Sequence, residues 1–133
     1  MSDKVLGEVE ATCLRLHEKA VDADHVAPTI EKMRLQRTKA DDVIVELRAA
    51  AVNPSDVKAA IGMMPYAVFP RTPGRDYAGV VVDGPADLIG KQVFGSSGDL
   101  GIRRDGTHGK TSTMSEVKSF PPPPTRGTDD QAR

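Results

Sequence analysis

The sequence predicts a mainly-β, barrel-like domain with one or two short helices. Short segments of alternating apolar residues recur through the first 110 positions, and turn-forming Gly, Pro and Asp residues separate them. One segment alone has a clear helical pattern. A doubly wound α/β domain would need several long helices between its strands, and the sequence does not provide them.

The first half of the chain contains three predicted strands. Residues 5–11 alternate loosely, and residues 30–35 form a second alternating segment. Residues 13–18 fit either a strand or one face of a helix, and residues 21–28 form a connection. The clearest strand is residues 43–49, in which Val, Leu and Ala recur along one face.

A short helix is predicted directly after this strand. The sequence Asn53-Pro54-Ser55-Asp56 breaks the strand, and either Ser55 or Asp56 is expected to cap a helix over residues 57–61. Gly62 suits the end of that helix, because glycine tolerates a positive φ angle.

The second half alternates between loops and short strands. Residues 63–74 contain three prolines and are predicted to be a loop. Strands are predicted over residues 77–82 and 91–95, and Asp105-Gly106 is predicted to form a hairpin turn. Residues 1–110 are therefore interpreted as the domain, and residues 111–133, with four consecutive prolines, as a disordered tail or linker.

Composition and charge exclude several classes of function. Lys+Arg 18 against Asp+Glu 19 give a net charge of −1, which provides no basic surface for nucleic acid or an anionic membrane. No segment approaches the roughly 18 apolar residues of a membrane span, and the N-terminus lacks the apolar core of a signal peptide. The single cysteine cannot form an internal disulfide. We expect a soluble, cytoplasmic protein.

No metal site is expected. Cys13, His17 and His25 are the candidate ligands, but the sequence lacks a fourth ligand and the compact spacing that a structural zinc site requires.

Three motifs, in the correct order, resemble those of the medium-chain dehydrogenases/reductases. VELRAAAVNPSD at residues 45–56 resembles the motif of their catalytic domain, and PGRDYAGVV at residues 73–81 resembles their second hallmark. GKQVFG at residues 90–95 is similar to the strand that follows, and Gly-Thr-His at residues 106–108 resembles the start of the next one. This resemblance covers residues 28–109 and implies the N-terminal, GroES-like catalytic domain of the family.

The resemblance points to the zinc-independent, quinone oxidoreductase-like branch. The zinc-dependent alcohol dehydrogenases of the family have Cys where this chain has Asn53, and His-Glu where it has Arg75-Asp76. An amide and a guanidinium are poor zinc ligands. The implied activity is hydride transfer from NADPH to a small-molecule substrate, such as a quinone, an enone or the carbonyl counterpart of an alcohol.

The resemblance also implies the site residues. Asn53 matches the position near the nicotinamide or the substrate and is the first candidate for both catalysis and cofactor binding. Ser55 and Asp56 match supporting positions of the cofactor site. Arg75 is a candidate contact for a cofactor phosphate, or else an ion-pair partner of Asp76. Tyr66 is a weaker candidate for a proton donor.

The nucleotide-binding domain of the family is not recognisable in this sequence. A Rossmann domain requires a Gly-x-Gly-x-x-Gly turn after a strand, and no such turn occurs. We therefore expect the chain to be inactive alone and a separate nucleotide-binding domain or a homodimer to complete it. The alternative is a non-enzymatic binding or assembly module on a GroES-like barrel.

Overall fold

A computed structural model of the chain describes residues 5–96, 98–115 and 117–119. These residues form a two-stranded sheet, a five-stranded sheet and one α-helix, so the predicted mainly-β fold is confirmed. Within the described residues, no helix is both long enough and apolar enough to cross a membrane.

The two-stranded sheet is an antiparallel hairpin of β1 (Gly7–Arg15) and β2 (Thr29–Arg37). Both strands are longer than predicted, and the ambiguous segment continues β1 as far as Arg15. Alternate residues near the end of β1 are buried, which is the two-residue period of a strand with one covered face. The predicted connection contains a single 3₁₀ turn at Ala23–His25.

The five-stranded sheet has the order β6-β3-β4-β5-β7, and every neighbouring pair is antiparallel. Its strands are β3 (Val43–Ala49), β4 (Asp76–Asp83), β5 (Gln92–Ser96), β6 (Thr111–Met114) and β7 (Lys118–Ser119). The central strands β3 and β4 correspond closely to their predicted segments. Because β3 and β4 are antiparallel, the end of β3 at residue 49 and the start of β4 at residue 76 lie at the same end of the sheet.

Two expectations for the second half are wrong. Residues 111–119 supply the strands β6 and β7, so the sheet continues past residue 110 and these residues are not a tail. The proline run and the rest of residues 120–133 lie outside the described residues. Asp105-Gly106 does not join two strands of a hairpin. The Asp105 carboxylate instead accepts hydrogen bonds from Arg15 and from the Thr72 backbone.

The hydrophobic core lies on one face of the five-stranded sheet. Leu100 comes from a loop, and the other buried members lie on neighbouring strands. These strand residues are Val43, Val45, Tyr77, Val81, Val93 and Met114. Ile44, which points to the opposite face of β3, is buried as well. Both faces of β3 are therefore covered at its start, which fixes the strand that leads into the helix.

The helix α1 (Pro54–Ala60) follows β3 after a short break. Asn53 is the N-cap residue, so the predicted cap at Ser55 or Asp56 is wrong. Pro54 takes the first helical position, where its missing N–H costs nothing. The Asp56 carboxylate reaches back and accepts a hydrogen bond of 2.8 Å from the Asn53 backbone N–H. Gly62 lies just past the helix with φ +82°, as predicted.

Candidate functional site

Three chain segments meet beside the start of α1. They are the break between β3 and α1, the residues that lead into β4, and residues 105–109. Backbone hydrogen bonds join the last two, from Gly106 N to Thr72 O at 2.7 Å and from His108 N to Pro73 O at 2.9 Å. Strand β1 fixes the same segment from its other side, because Leu14 N donates to His108 O at 2.9 Å.

Gly74 allows these segments to approach each other closely. Its φ angle is +109°, a region that favours glycine. A Cβ atom at this position would lie 2.5 Å from Thr107 Oγ1 and 2.8 Å from the backbone N of His108. The Pro-Gly of the 73–81 motif is therefore explained by packing against residues 107 and 108.

Asp76 connects the segments through its carboxylate and its carbonyl group. Asn53 Nδ2 donates to Asp76 Oδ2 at 3.0 Å, and the backbone N–H of Ala51 donates to Asp76 Oδ1 at 2.8 Å. The Thr107 hydroxyl donates to Asp76 O at 2.6 Å. The Asn53 hydrogen bond, then that of Ala51, lowers the pKa of Asp76 below its usual value, because both stabilise the ionised form. The corner therefore holds a fixed negative charge at neutral pH.

Asn53 links this corner to the helix. Its backbone N–H is bonded to Asp56, and its side-chain amide is bonded to Asp76, so both its position and its rotamer are determined. The neighbouring Val52 is 76% exposed, which leaves the corner open to solvent on that side. Asn53 itself is partly exposed, so a molecule can approach it from this side.

Asp56 and His108 form a second polar pair behind Asn53. His108 Nε2 lies 3.9 Å from Asp56 Oδ2 and 2.9 Å from the carbonyl oxygen of Ala51. The His108 side chain is 14% exposed and the Asp56 side chain is 5% exposed. Sequence reasoning did not predict this pair. The Gly-Thr-His sequence was the available signal, but only the fold brings residues 56 and 108 together.

The other candidate residues have separate surroundings. Ser55 is half-buried at the second position of α1. Arg75 does not pair with Asp76 and donates from Nη2 to Gly98 O at 3.0 Å. Tyr66 is 66% exposed, and the guanidinium of Arg103 lies 4.8 Å from its ring centroid. The structure thus brings Asn53 and Asp56 together and records other partners for Tyr66 and Arg75.

The candidate metal ligands have separate partners. His17 pairs with Glu31, and His25 pairs with Asp22. Cys13 is buried, and this burial raises the pKa of its thiol, which disfavours the thiolate that binds metals. Among the residues that the structure describes, no three His, Cys, Asp or Glu side chains are grouped so that they could hold a metal ion.

The comparison with known proteins decides the family. Residues 39–123 match the alcohol dehydrogenase GroES-like domain. The chain belongs to that family. The matched range contains β3, α1, β4 and the corner described above, and it places the protein among the medium-chain dehydrogenases/reductases, as the motifs predicted.

Individual relatives of this GroES-like domain are oxidoreductases by name. The chain is 43% identical over 88 residues to the zinc-type alcohol dehydrogenase-like protein C337.11 of Schizosaccharomyces pombe. This match covers 65% of the present chain and 27% of the relative. An alcohol dehydrogenase superfamily protein from Novosphingobium aromaticivorans is 26% identical with a TM-score of 0.66, covering 79% of this chain and 32% of that one.

A third relative shares the fold at lower identity. The quinone oxidoreductase from Coxiella burnetii has a TM-score of 0.65 and 18% identity, covering 79% of this chain and 34% of that one. The chain therefore spans about a quarter to a third of the length of these relatives. It is an oxidoreductase-like domain with the GroES-like fold.

Proposed function

We propose that this domain forms the substrate side of an NADPH-dependent, zinc-independent oxidoreductase of the cytoplasm. The observation that carries the proposal is the hydrogen bond between Asn53 Nδ2 and Asp76 Oδ2. Zinc-dependent members of the resembled family have a cysteine and a glutamate at these two positions. Here an amide and a carboxylate bind each other, and that pairing leaves the carboxylate oxygens already engaged by N–H donors.

Zinc independence is supported by the chemistry of the side chains. Asn53 presents an amide where a thiolate is needed, and Arg75 presents a cation that repels Zn²⁺. The relative from S. pombe carries the words "zinc-type" in its name, so a direct metal measurement is the appropriate test for this chain.

The residues present fit one end of the implied cofactor. Bound NADPH would supply a hydride. The described residues are mainly β, and the step from β3 to α1 carries Asn-Pro-Ser-Asp instead of the glycine-rich turn that holds a dinucleotide phosphate. Asn53, Ser55 and Asp56 are the residues of this chain that we assign to the nicotinamide end. Arg75, held by Gly98, is the candidate for a phosphate contact.

The fixed charge at the corner has a role that follows from its geometry. Asp76 remains ionised at neutral pH because Asn53 and Ala51 donate hydrogen bonds to it. A preorganised carboxylate favours positive charge beside it, so Asp76 would stabilise the positively charged, oxidised form of the cofactor at this corner. Asn53 positions this carboxylate, and the exposed side at Val52 admits the substrate.

Metal analysis and cofactor titration of the isolated chain test the proposal. After incubation with Zn²⁺ and dialysis, we expect far less than one equivalent of bound zinc. The double variant Asn53→Cys/Arg75→His restores two zinc-ligand types and should retain more. We expect only weak NADPH binding by the chain and no turnover. One equivalent of zinc that Asn53→Ala releases, or tight stoichiometric NADPH binding, would contradict the proposal.

The alternative of a non-enzymatic binding module predicts a different result. A module that assembles through its exposed strands should form a stable dimer, because dimerisation covers open sheet edges. A stable monomer in light scattering of the isolated chain would count against the module, whereas the oxidoreductase proposal places no demand on self-association.

A further inference from the structure

We propose that a cleft on the core face of the five-stranded sheet binds a monocarboxylate with a compact apolar body. This core-face cleft is lined by parts of β4 and β5 and by residues 114–118, and it has a volume of ≈ 630 Å³. Its lining includes none of the residues assigned to the oxidoreductase site. Tyr77 belongs to the core, whereas the preceding Asp76 side chain points to the opposite face of β4. The proposal therefore goes beyond the oxidoreductase function and can be tested without a cofactor.

The walls of the core-face cleft are largely apolar. They include Leu88, Leu100, Met114 and Val117. Leu100 and Met114 are members of the hydrophobic core, and the other two pack against it. Ligand sites are typically about 300–1,000 Å³ and combine apolar walls with a few polar groups. The cleft has the size and lining of such a site, and an apolar ligand body would remove this edge of the core from water.

The Tyr77 hydroxyl lies beside a gap in the lining of the cleft. Tyr77 is 6% exposed and pairs with Gly95 on the neighbouring strand β5. A Cβ atom at residue 95 would lie 2.9 Å from the hydroxyl oxygen, and both residues line the cleft. Because Gly95 has no side chain, the hydroxyl is uncovered at this point. No described residue forms a hydrogen bond with it, and it is not one of the fully buried polar atoms. A ligand in the cleft can therefore be its partner.

The charges around the cleft favour an anionic ligand. The charged side chains of the lining are those of Asp41, Arg104 and Lys118, and all three residues are exposed. Together they carry one net positive charge. Arg104 forms no ion pair with a described residue, because the adjacent Asp105 pairs with Arg15. Its guanidinium is therefore available to a ligand.

Arg104 and the Tyr77 hydroxyl are close enough to act on the same ligand group. Burial raises the pKa of the Tyr77 hydroxyl, and the positive charge of Arg104 acts in the opposite direction. The hydroxyl keeps its proton at neutral pH, so it can donate a hydrogen bond. The guanidinium only donates, and its fork matches the two oxygens of a carboxylate. A carboxylate therefore satisfies both groups, whereas an ammonium ion would be repelled by Arg104.

Binding is measured by NMR on the ¹⁵N-labelled chain at neutral pH. The probes are hexanoate, hexanamide and hexylammonium, which have the same apolar chain and differ in the charge of the polar end. We expect hexanoate to shift the amide resonances of Tyr77, Gly95 and Arg104. Hexanamide should bind about tenfold more weakly, because it lacks the charge-assisted hydrogen bond, and hexylammonium should bind more weakly still.

Three variants test the assigned groups. Arg104→Gln removes the charge from an exposed position and should weaken hexanoate about tenfold while leaving hexanamide unchanged. Arg103→Gln is the matched control, because the neighbouring Arg103 is exposed as well, lies over the ring of Tyr66 and does not line the cleft. Tyr77→Phe removes only the hydroxyl and should weaken hexanoate severalfold. The two arginine variants keep the test valid if Tyr77→Phe does not fold.

The expected result is carboxylate-selective binding that Arg104→Gln weakens and Arg103→Gln does not. The proposal is overturned if hexanoate at tens of millimolar leaves the resonances around the cleft unchanged. It is also overturned if hexylammonium binds there as well as hexanoate does, because the cleft would then be a non-selective apolar surface. Equal effects of the two arginine variants would contradict it too, since only the overall charge would then matter.

Discussion

Asn53 Nδ2 donates a hydrogen bond of 3.0 Å to Asp76 Oδ2, across 23 residues of sequence. This bond joins the N-cap of α1 to the first residue of β4. It connects the two motifs by which the chain resembles its family.

Removing the Asn53 amide should raise the pKa of Asp76. The folded pKa now lies below that of an unfolded aspartate, so the stabilisation is fully present above about pH 4 and is lost as the pH falls through the folded pKa. Asn53→Ala should therefore destabilise the domain most at neutral pH, with the difference from wild type shrinking in acid. Carboxyl ¹³C NMR measures the pKa of Asp76, and urea unfolding between about pH 2 and about pH 7 measures the change in stability.

Ser55→Ala is the matched control for this experiment. Ser55 lies two positions from Asn53 on the same helix and is half-buried. We expect its removal to leave the titration of Asp76 unchanged. An Asp76 pKa that is the same in Asn53→Ala and wild type would contradict the assigned role of the amide.

Gly74→Ala should destabilise the domain strongly. An added Cβ would lie 2.8 Å from the His108 backbone N, and φ is +109°. Gly90→Ala provides the control, because φ there is +87° but no atom lies within 4 Å of the added Cβ. Urea unfolding should place Gly74→Ala about 2 kcal/mol or more below Gly90→Ala. Equal stabilities would mean that residues 74 and 108 are not in contact.

Arg71→Ala should be among the most destabilising substitutions. The side chain is 1% exposed, and its Nε and Nη1 donate to the carbonyls of Gly101 and Val68 at 2.7 and 3.2 Å. Truncation leaves a cavity and two unpaired carbonyls, with a cost of about 3–5 kcal/mol. Arg48→Ala, which breaks an exposed pair with Glu46, should cost only about 0.5 kcal/mol. Similar midpoints for the two variants in urea would refute this account.

Asp105→Ala should destabilise the domain, because residue 105 holds the end of β1 in place. Asp105 Oδ1 accepts from Arg15 Nη1 at 2.6 Å and from Thr72 N at 2.8 Å. The Arg15 side chain is buried, so its charge would lose its carboxylate partner at a cost of about 2 kcal/mol. Asp105→Asn retains an acceptor and should lose less. Thermal unfolding that ranks wild type, Asp105→Asn and Asp105→Ala in any other order would contradict this role.

The strands could be predicted because their signals are local. The alternation of Val43–Ala49 is determined by which face of the sheet is covered, and the observed strand has the predicted bounds. Strands β6 and β7 could not be recognised in the same way. Thr111–Met114 is short and mostly polar, and it is ordered because it pairs with β3. That pairing is a tertiary effect that a single sequence does not contain.

The candidate site was predictable in part for a similar reason. The resemblance of residues 45–56 and 73–81 to family motifs pointed to Asn53. The pairs Asn53–Asp76 and Asp56–His108 depend on the close approach at Gly74, which only the fold provides. Helix capping also required the fold, because Asn53, Ser55 and Asp56 are all good capping residues by type.

Mapping a nicotinamide probe on the ¹⁵N-labelled chain tests the central claim most directly. Reduced nicotinamide mononucleotide carries the ring without the rest of the dinucleotide, so it isolates the contact that this domain is proposed to make. We expect weak binding with shifts centred on Asn53, Asp76 and Thr107, and the loss of these shifts in Asn53→Ala. Shifts located elsewhere, or none at these three residues at saturating probe, would contradict it.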